Sequence, residues 1–324
     1  MKRNRGLKSK PAAALLAACL LIAGAAVVCG PRFLNPVTMD AATRAMLLAI
    51  RLPRITIALL MGAALGASGA ILQGIFRNPL ADPYVLGISS GACLAASVAL
   101  ALDDAYASLS VPALAFLGAL GTGALVGLLG HGRRGVLPER LLLAGVGIGF
   151  FLSALLLLVM TLARDEGLKR AFLWMSGDLS MTDWENVPYG AAFICIGAVL
   201  AVMKSRSLNA LTLGDEIAHS LGFNPARERL LLFIAASLMT AASVALGGAV
   251  GFIGLIVPHL VRRYVGTDAM PVLVFSGVAG AALLCLADTA GRIAAAPMEL
   301  PAGVVAALIG APYFLYLLVR TKRR

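Results

Sequence analysis

The sequence predicts an all-α polytopic membrane protein with ten transmembrane helices and both termini in the cytoplasm. Three observations lead there. The chain is 60% hydrophobic and only 13% charged, with a mean hydropathy of +0.91, too apolar for a water-soluble globule. Apolar runs of roughly 20 residues, the length that crosses a hydrocarbon core about 30 Å thick, recur along the whole chain with short polar breaks. The lysines and arginines vary in density from one break to the next, and that bias sets orientation. A net charge of +11 would suggest nucleic acid in a soluble protein. Here the loop distribution accounts for it, and no nucleic-acid partner is expected.

The first segment, 12–29, follows Lys2, Arg3, Arg5, Lys8 and Lys10. That is also how a signal peptide begins, and Ala23-Gly24-Ala25 offers a cleavage-like triplet. The length of the run favours a retained first helix. The next segments are 55–76, 84–102, 111–130, 141–163, 188–203 and 229–248. The eighth, 251–262, is too short to cross alone and contains Pro258, so it either starts below the surface among sheltering helices or is half of a re-entrant turn. The segments 271–290 and 302–319 complete the ten.

Starting inside, the inner breaks hold 19 of the 27 lysines and arginines. The outer side holds Arg32, Arg44, Arg51, Arg54, Arg164, Lys169, Arg170 and Arg292. The bias puts both termini and the 204–230 loop in the cytoplasm. Small residues recur at four-residue spacing, as in Gly62, Gly66 and Ala70, Gly145 and Gly149, and Gly303 and Ala307. Such faces let helix backbones approach closely.

One polar stretch stands apart. Leu208 to Gly222 reads as an amphipathic helix, with Leu213, Ile217 and Leu221 on one stripe and Asp215, Glu216 and His219 off it. Nothing of comparable size in the chain is available to cover that stripe, so it is expected to dock a separate partner. Asp215 and Glu216 also suit the helix N-terminus electrostatically. Cys19, Cys29, Cys93, Cys195 and Cys285 are scattered through apolar runs and read as packing residues. His131, His219 and His259 have no second ligand at i+3 or i+4, so no metal site is expected.

Further polar signals interrupt the bundle: Gln73, then Arg77-Asn78-Pro79-Leu80-Ala81-Asp82-Pro83, then Gly87, Ser89, Ser90 and Gly91. Later come Gly251 to His259, Asp288 with Arg292 one turn on, and Glu299-Leu300-Pro301. Together with Arg51-Leu52-Pro53-Arg54, Leu143-Ala144-Gly145 and Trp174 to Gly177, in this order, they resemble the permease subunits of bacterial ABC importers for iron siderophores, haem and cobalamin. The resemblance runs from Arg51 nearly to the C-terminus.

That resemblance implies one transmembrane permease domain over 1–324 in the bacterial inner membrane, paired with a second copy of itself. It implies two ATPase subunits docked on the cytoplasmic loop through Leu213, Gly214, Asp215, Glu216, Ala218, Leu221 and Gly222. ATP and magnesium would sit on those partners, with no cofactor in this chain. An extracytoplasmic binding protein would dock through Arg51, Arg54 and Arg292. The pathway and its gate would involve Gln73, Asn78, Pro79, Leu80, Leu141, Leu142 and Leu143. The residues themselves add that no Gly-Lys pair occurs, so a phosphate-binding loop of the Walker type is excluded and the chain is not the ATPase.

Two other classes compete. An ion-coupled secondary transporter needs ionisable groups near the bilayer midplane, whereas Asp288 and Glu299 fall near segment ends. An intramembrane serine protease is prompted by Gly66-Ala67-Ser68-Gly69 and His259, and requires that serine and histidine to be within hydrogen-bond reach.

Overall fold

The computed structural model describes residues 6–30, 40–102, 107–132, 135–163, 165–180 and 182–321. Lys2, Arg3, Arg5, Arg32, Arg133, Arg134, Arg164 and the last three residues, all used in the charge count, lie outside them. Every one of the ten apolar segments is helical. They correspond to α1 (Gly6–Val28), α3 (Leu52–Ile75), α4 (Ile88–Leu102), α5 (Ala107–Leu129), α6 (Pro138–Leu162), α8 (Val187–Met203), α11 (Pro225–Gly247), α12 (Ile253–Val265), α13 (Ala269–Ala294) and α14 (Ala302–Thr321). Shorter helices fall between them: α2 (Ala41–Met46), α7 (Asp165–Met175), α9 (Ser205–Leu213) and α10 (Asp215–Ser220). A two-residue hairpin pairs His131 with Val136.

Length alone qualifies fewer helices as spans. Among the described residues five helical units are long and apolar enough to cross, or six with the bent α8 and α9 pair counted as one. Of the rest, α4 is short at 15 residues and α12 is shorter still. α12 has 13 residues, roughly 20 Å at 1.5 Å per residue. It is preceded by irregular backbone in which Gly248 and Phe252 both have positive φ. A Cβ on Gly248 would lie 1.9 Å from the Trp174 carbonyl, so only glycine fits there, against α7. Of the two expectations for the eighth segment, a start sheltered within the protein matches this packing.

α3 is the spine. Its glycines meet neighbouring backbones directly: a Cβ on Gly62 would stand 2.2 Å from the Gly280 carbonyl, on Gly66 2.1 Å from that of Ser276, and on Gly69 2.0 Å from that of Gly254. The face read from spacing is therefore real, with Gly69 rather than Ala70 making its third close contact. Gly145 and Gly149 of α6 likewise receive Leu86 and Gly87, and Gly303 of α14 receives Ser176 and Ala249. α13, α11 and α12 all pack on α3. From Arg54 to Gly74 the spine runs roughly 30 Å, with a polar cluster at each end.

Candidate functional sites at the two ends of the bundle

At the N-terminal end of α3, Arg54 is 4% exposed and joins two carboxylates. Its Nε donates to Asp288 Oδ1 at 2.8 Å and its Nη1 to Glu299 Oε2 at 2.5 Å. Arg292 Nε lies 3.2 Å from Asp288 Oδ2, the i,i+4 pair expected from the sequence. Arg292 Nη2 also donates to the Ala26 carbonyl, while Arg51 Nη1 donates to those of Val27 and Val28. Two arginines thus meet the negative end of the α1 dipole.

All three arginines expected to dock a partner lie together at this end of the bundle, buried and engaged inside the chain. A guanidinium sunk in a low-dielectric bundle is tolerable only with carboxylates and carbonyls around it. Of the acids, Glu299 alone keeps a partly open side chain, 34% exposed against 1% for Asp288. The convergence of Arg54 and Glu299, 245 residues apart, left no local signal in the sequence.

At the other end the Leu208 to Gly222 stretch is not one helix. α9 and α10 are separated at Gly214, whose φ of +121° suits glycine. Leu213, Ile217 and Leu221 are 62%, 46% and 59% exposed, so the stripe faces outward as expected, and Glu216 and Gly222 are exposed beside it. Ala218 is fully buried. It therefore anchors α10 from behind and cannot belong to a contact surface.

The loop is tied to the bundle at several points. Asp215 Oδ1 accepts from Arg229 Nη2 at 2.6 Å and lies 3.7 Å from Arg77 Nη2. Arg229 also donates to the Val136 carbonyl at 2.8 Å. Lys204 pairs with Glu228 at 2.9 Å. Asn209 bridges to the start of α13, donating to Asp268 at 2.9 Å and accepting from the Ala269 amide at 2.8 Å. Leu208 fills the space a side chain on Gly74 would need. α10 is thus tied to α11 through Asp215, and α9 to α3 and α13 through Leu208 and Asn209. Dipole complementarity is only part of Asp215's role; its buried partner Arg229 comes from α11 and could not be read from the loop.

The expected gate residues divide. Gln73 is 4% exposed and is occupied in clamping α12: its Nε2 donates to the Gly254 and Leu255 carbonyls while its Oε1 accepts from Arg262. Leu141 is fully buried beneath Gly130. Both are buried within the bundle, in the region where the passage was expected to be closed. Leu142 is half-buried and Leu143 is 74% exposed on α6. Asn78 Oδ1 accepts from the Leu80 amide and shapes the turn, leaving Pro79 and Leu80 exposed.

Leu80 lines a cavity of about 380 Å³ with Asp82, Tyr84, Phe252, Leu255 and Val304. Asp82, missed as a site residue, is buried there. Its Oδ1 accepts from the Tyr84 amide at 2.7 Å and its Oδ2 has no hydrogen-bond partner. Burial pushes its pKa up to about 6, against the pull of the Tyr84 and Leu255 amides. A carboxylate between two prolines in a turn was the available signal.

Ser68 Oγ donates to the Leu65 carbonyl, and His259 Nε2 has no hydrogen-bond partner. The serine and histidine of the protease reading are thus not paired. No group of three His, Cys, Asp or Glu suited to a metal occurs among the described residues.

The sequence pattern of the FecCD transport family matches residues 11–320. The hemin transport system permease protein HmuU of Yersinia pestis is 40% identical over 279 residues, covering 85% of this chain and 83% of that one. The cobalamin import system permease protein BtuC of Halobacterium salinarum is 41% identical over 270 residues, covering 83% and 72%. A solved structure described as an inward-facing conformation of a metal-chelate type ABC transporter superimposes with a TM-score of 0.88 at 30% identity, covering 96% of this chain and 99% of that one.

Proposed function

The chain belongs to the FecCD transport family, and from that premise we propose that it is the membrane-spanning permease subunit of an ATP-driven importer for a metal chelate: an iron siderophore, haem or cobalamin. The observation that carries the coupling is the exposed stripe of Leu213, Ile217 and Leu221 on a short element tied by Asp215 and Asn209 to α11 and α13. A surface of that kind suits a rigid partner that moves. Two ATPase subunits, which hold the ATP and magnesium, dock there, one on each of two copies of the permease.

The charge bias supports ten crossings with both termini cytoplasmic, in a multi-pass protein of the bacterial inner membrane. Residues 1–324 form one permease domain. The cavity at Leu80 and Phe252 belongs to the passage, and its largely apolar wall suits a bulky chelate held weakly. Specificity then resides in an extracytoplasmic binding protein. That protein docks at the end of the bundle holding Arg51, Arg54 and Arg292, where its acidic side chains compete with Glu299 for Arg54.

Reconstitution tests the reading. The chain is co-purified with its ATPase and placed in proteoliposomes with the binding protein, and uptake of labelled siderophore, haem and cobalamin is measured with and without ATP. ATP-dependent uptake of one of them is expected. Failure to associate with any ATPase, with uptake following an ion gradient, would replace the importer by a secondary transporter.

A further inference from the structure

α3 stops on an unusual residue. Its last turn closes with two backbone bonds, the Arg77 amide donating to the Gly74 carbonyl and the Asn78 amide to that of Gln73, both at 3.2 Å. A helix stop of this kind puts the residue after the C-cap in the left-handed region, which glycine enters without steric cost. Here that residue is Arg77, with a φ of +51°. Among the described residues Phe252 is the other non-glycine residue with positive φ.

Stability does not account for the choice. The Arg77 side chain is 46% exposed, and its Nη2 stands 3.7 Å from Oδ1 of Asp215, itself 41% exposed. An ion pair that long and that open adds little to stability, and the left-handed backbone subtracts from it. Strain of this kind persists where a side chain is needed in one place.

The place is a junction between the passage and the loop. Arg77 begins the turn in which Asn78 Oδ1 holds the Leu80 amide, and Leu80 lines the cavity of the passage. Its guanidinium lies over the break between α9 and α10, where a Cβ on Gly214 would stand 3.6 Å from Arg77 Nη1. The Asp215 oxygen that faces Arg77 also accepts from Arg229 Nη2 at 2.6 Å. One carboxylate oxygen therefore meets a short, buried partner from α11 and a long, open one from the turn. The first holds α10 to the bundle, and the second is cheap to make and break.

We propose that Arg77 is a positioning residue of transport: its contact with Asp215 relays displacement of α10 by the ATPase to the Asn78–Leu80 turn of the passage. This link rests on the importer reading and names one of its parts. A single peptide bond separates Arg77 from Asn78, whose side chain shapes the turn. The left-handed well is small, so the backbone of Arg77 passes a displacement on instead of absorbing it.

The test places the full chain with its ATPase and binding protein in proteoliposomes. ATPase association, ATP hydrolysis and uptake are measured, with whichever of labelled siderophore, haem or cobalamin the wild type takes up. Arg77→Gly relieves the backbone and removes the guanidinium. It should melt no lower than the wild type and bind the ATPase equally well, while uptake per ATP hydrolysed falls several-fold. Arg77→Gln, which keeps the strain and loses the charge, should fall likewise, and Arg77→Lys should recover most of the coupling. Asp215→Asn should also lower uptake per ATP, and adding Arg77→Gly to it should lower it little further, because both remove the same contact.

Unchanged uptake per ATP in Arg77→Gly or Arg77→Gln overturns the link, as do independent losses in the double variant or an Arg77→Lys no better than Arg77→Gln. A weakened ATPase complex in Arg77→Gly also overturns it, by making Arg77 a docking contact. All of these leave the importer reading intact. A wild type that associates with no ATPase and shows no ATP-dependent uptake overturns both. If Arg77→Gly fails to fold, Arg77→Gln decides by the same readouts.

Discussion

The two ends of α3 use the same chemistry to opposite effect. At one end Arg54, Asp288, Glu299 and Arg292 close on one another, with only Glu299 partly open. At the other, Asp215 holds Arg229 and stays 41% exposed, and the three apolar side chains beside it face outward. The first cluster joins α3, α13 and the α13–α14 connection into one block. The second pins a short helix to the bundle while leaving its working face bare. A charged pair wholly inside the bundle fixes helices because losing a partner strands a buried charge, whereas a pair with one member open to solvent, as Asp215 is against the buried Arg229, is partly screened and costs less to lose.

The largest test of that contrast is Arg54→Ala, which leaves Asp288 buried with Arg292 as its remaining partner and should destabilise the chain by about 3–5 kcal/mol. Thermal unfolding in detergent reads it, and removing Asp288 and Glu299 as well should recover much of the loss. Asp215→Asn at the other end keeps an oxygen acceptor for the buried Arg229 while Asp215 itself is 41% exposed, and should cost less, about 1–3 kcal/mol, in the same assay. A similar loss at both ends would dissolve the comparison. Next, Leu213→Asp with Leu221→Asp should leave unfolding unchanged while weakening ATPase association by about 2–3 kcal/mol, as removal of central apolar anchors does. Titration with the purified ATPase measures it.

Gly214→Ala should cost about 1–2 kcal/mol, because the replacement must hold a backbone conformation that side chains disfavour. If the turn carries motion, the loss should appear as ATP hydrolysis uncoupled from uptake. Glu299→Gln removes the one partly open acid on Arg54 and should tighten binding-protein affinity by up to about 1 kcal/mol, read by surface-immobilised titration. A weaker complex would mean that Glu299 holds the docking face in shape.

The smallest effect concerns Asp82. Its folded pKa of about 6 exceeds its unassociated value of 3.8, so the fold favours the neutral acid. Its contribution to stability is most favourable below about pH 4 and is lost as pH rises through about 6. The melting temperature of the wild type should therefore fall more between pH 5 and pH 7 than that of Asp82→Asn. Equal shifts would show that the carboxylate is hydrated in the cavity.

The helical segments, the small-residue contact of α3 and the outward stripe of Leu213, Ile217 and Leu221 were legible because each depends on period and composition within one stretch. Gly62 and Gly66 announced a close neighbour without saying which, and Leu213, Ile217 and Leu221 announced a missing one. Arg51, Arg54 and Arg292 were legible as to their end of the bundle but not their exposure. Exposure depends on Glu299 and on the α1 carbonyls, which come from elsewhere in the chain. The division of Leu208 to Gly222 into α9 and α10 followed from Gly214, whose effect an apolar period does not register. What the sequence by itself determined, then, was a membrane-embedded helical bundle with one uncovered apolar stripe, because hydrophobic length and periodicity are local properties. The tertiary structure alone decided which charges are closed and which are open, that Gln73 clamps α12, and that Asp82 faces the cavity, because burial and partnership are set by helices brought together from far apart in the chain.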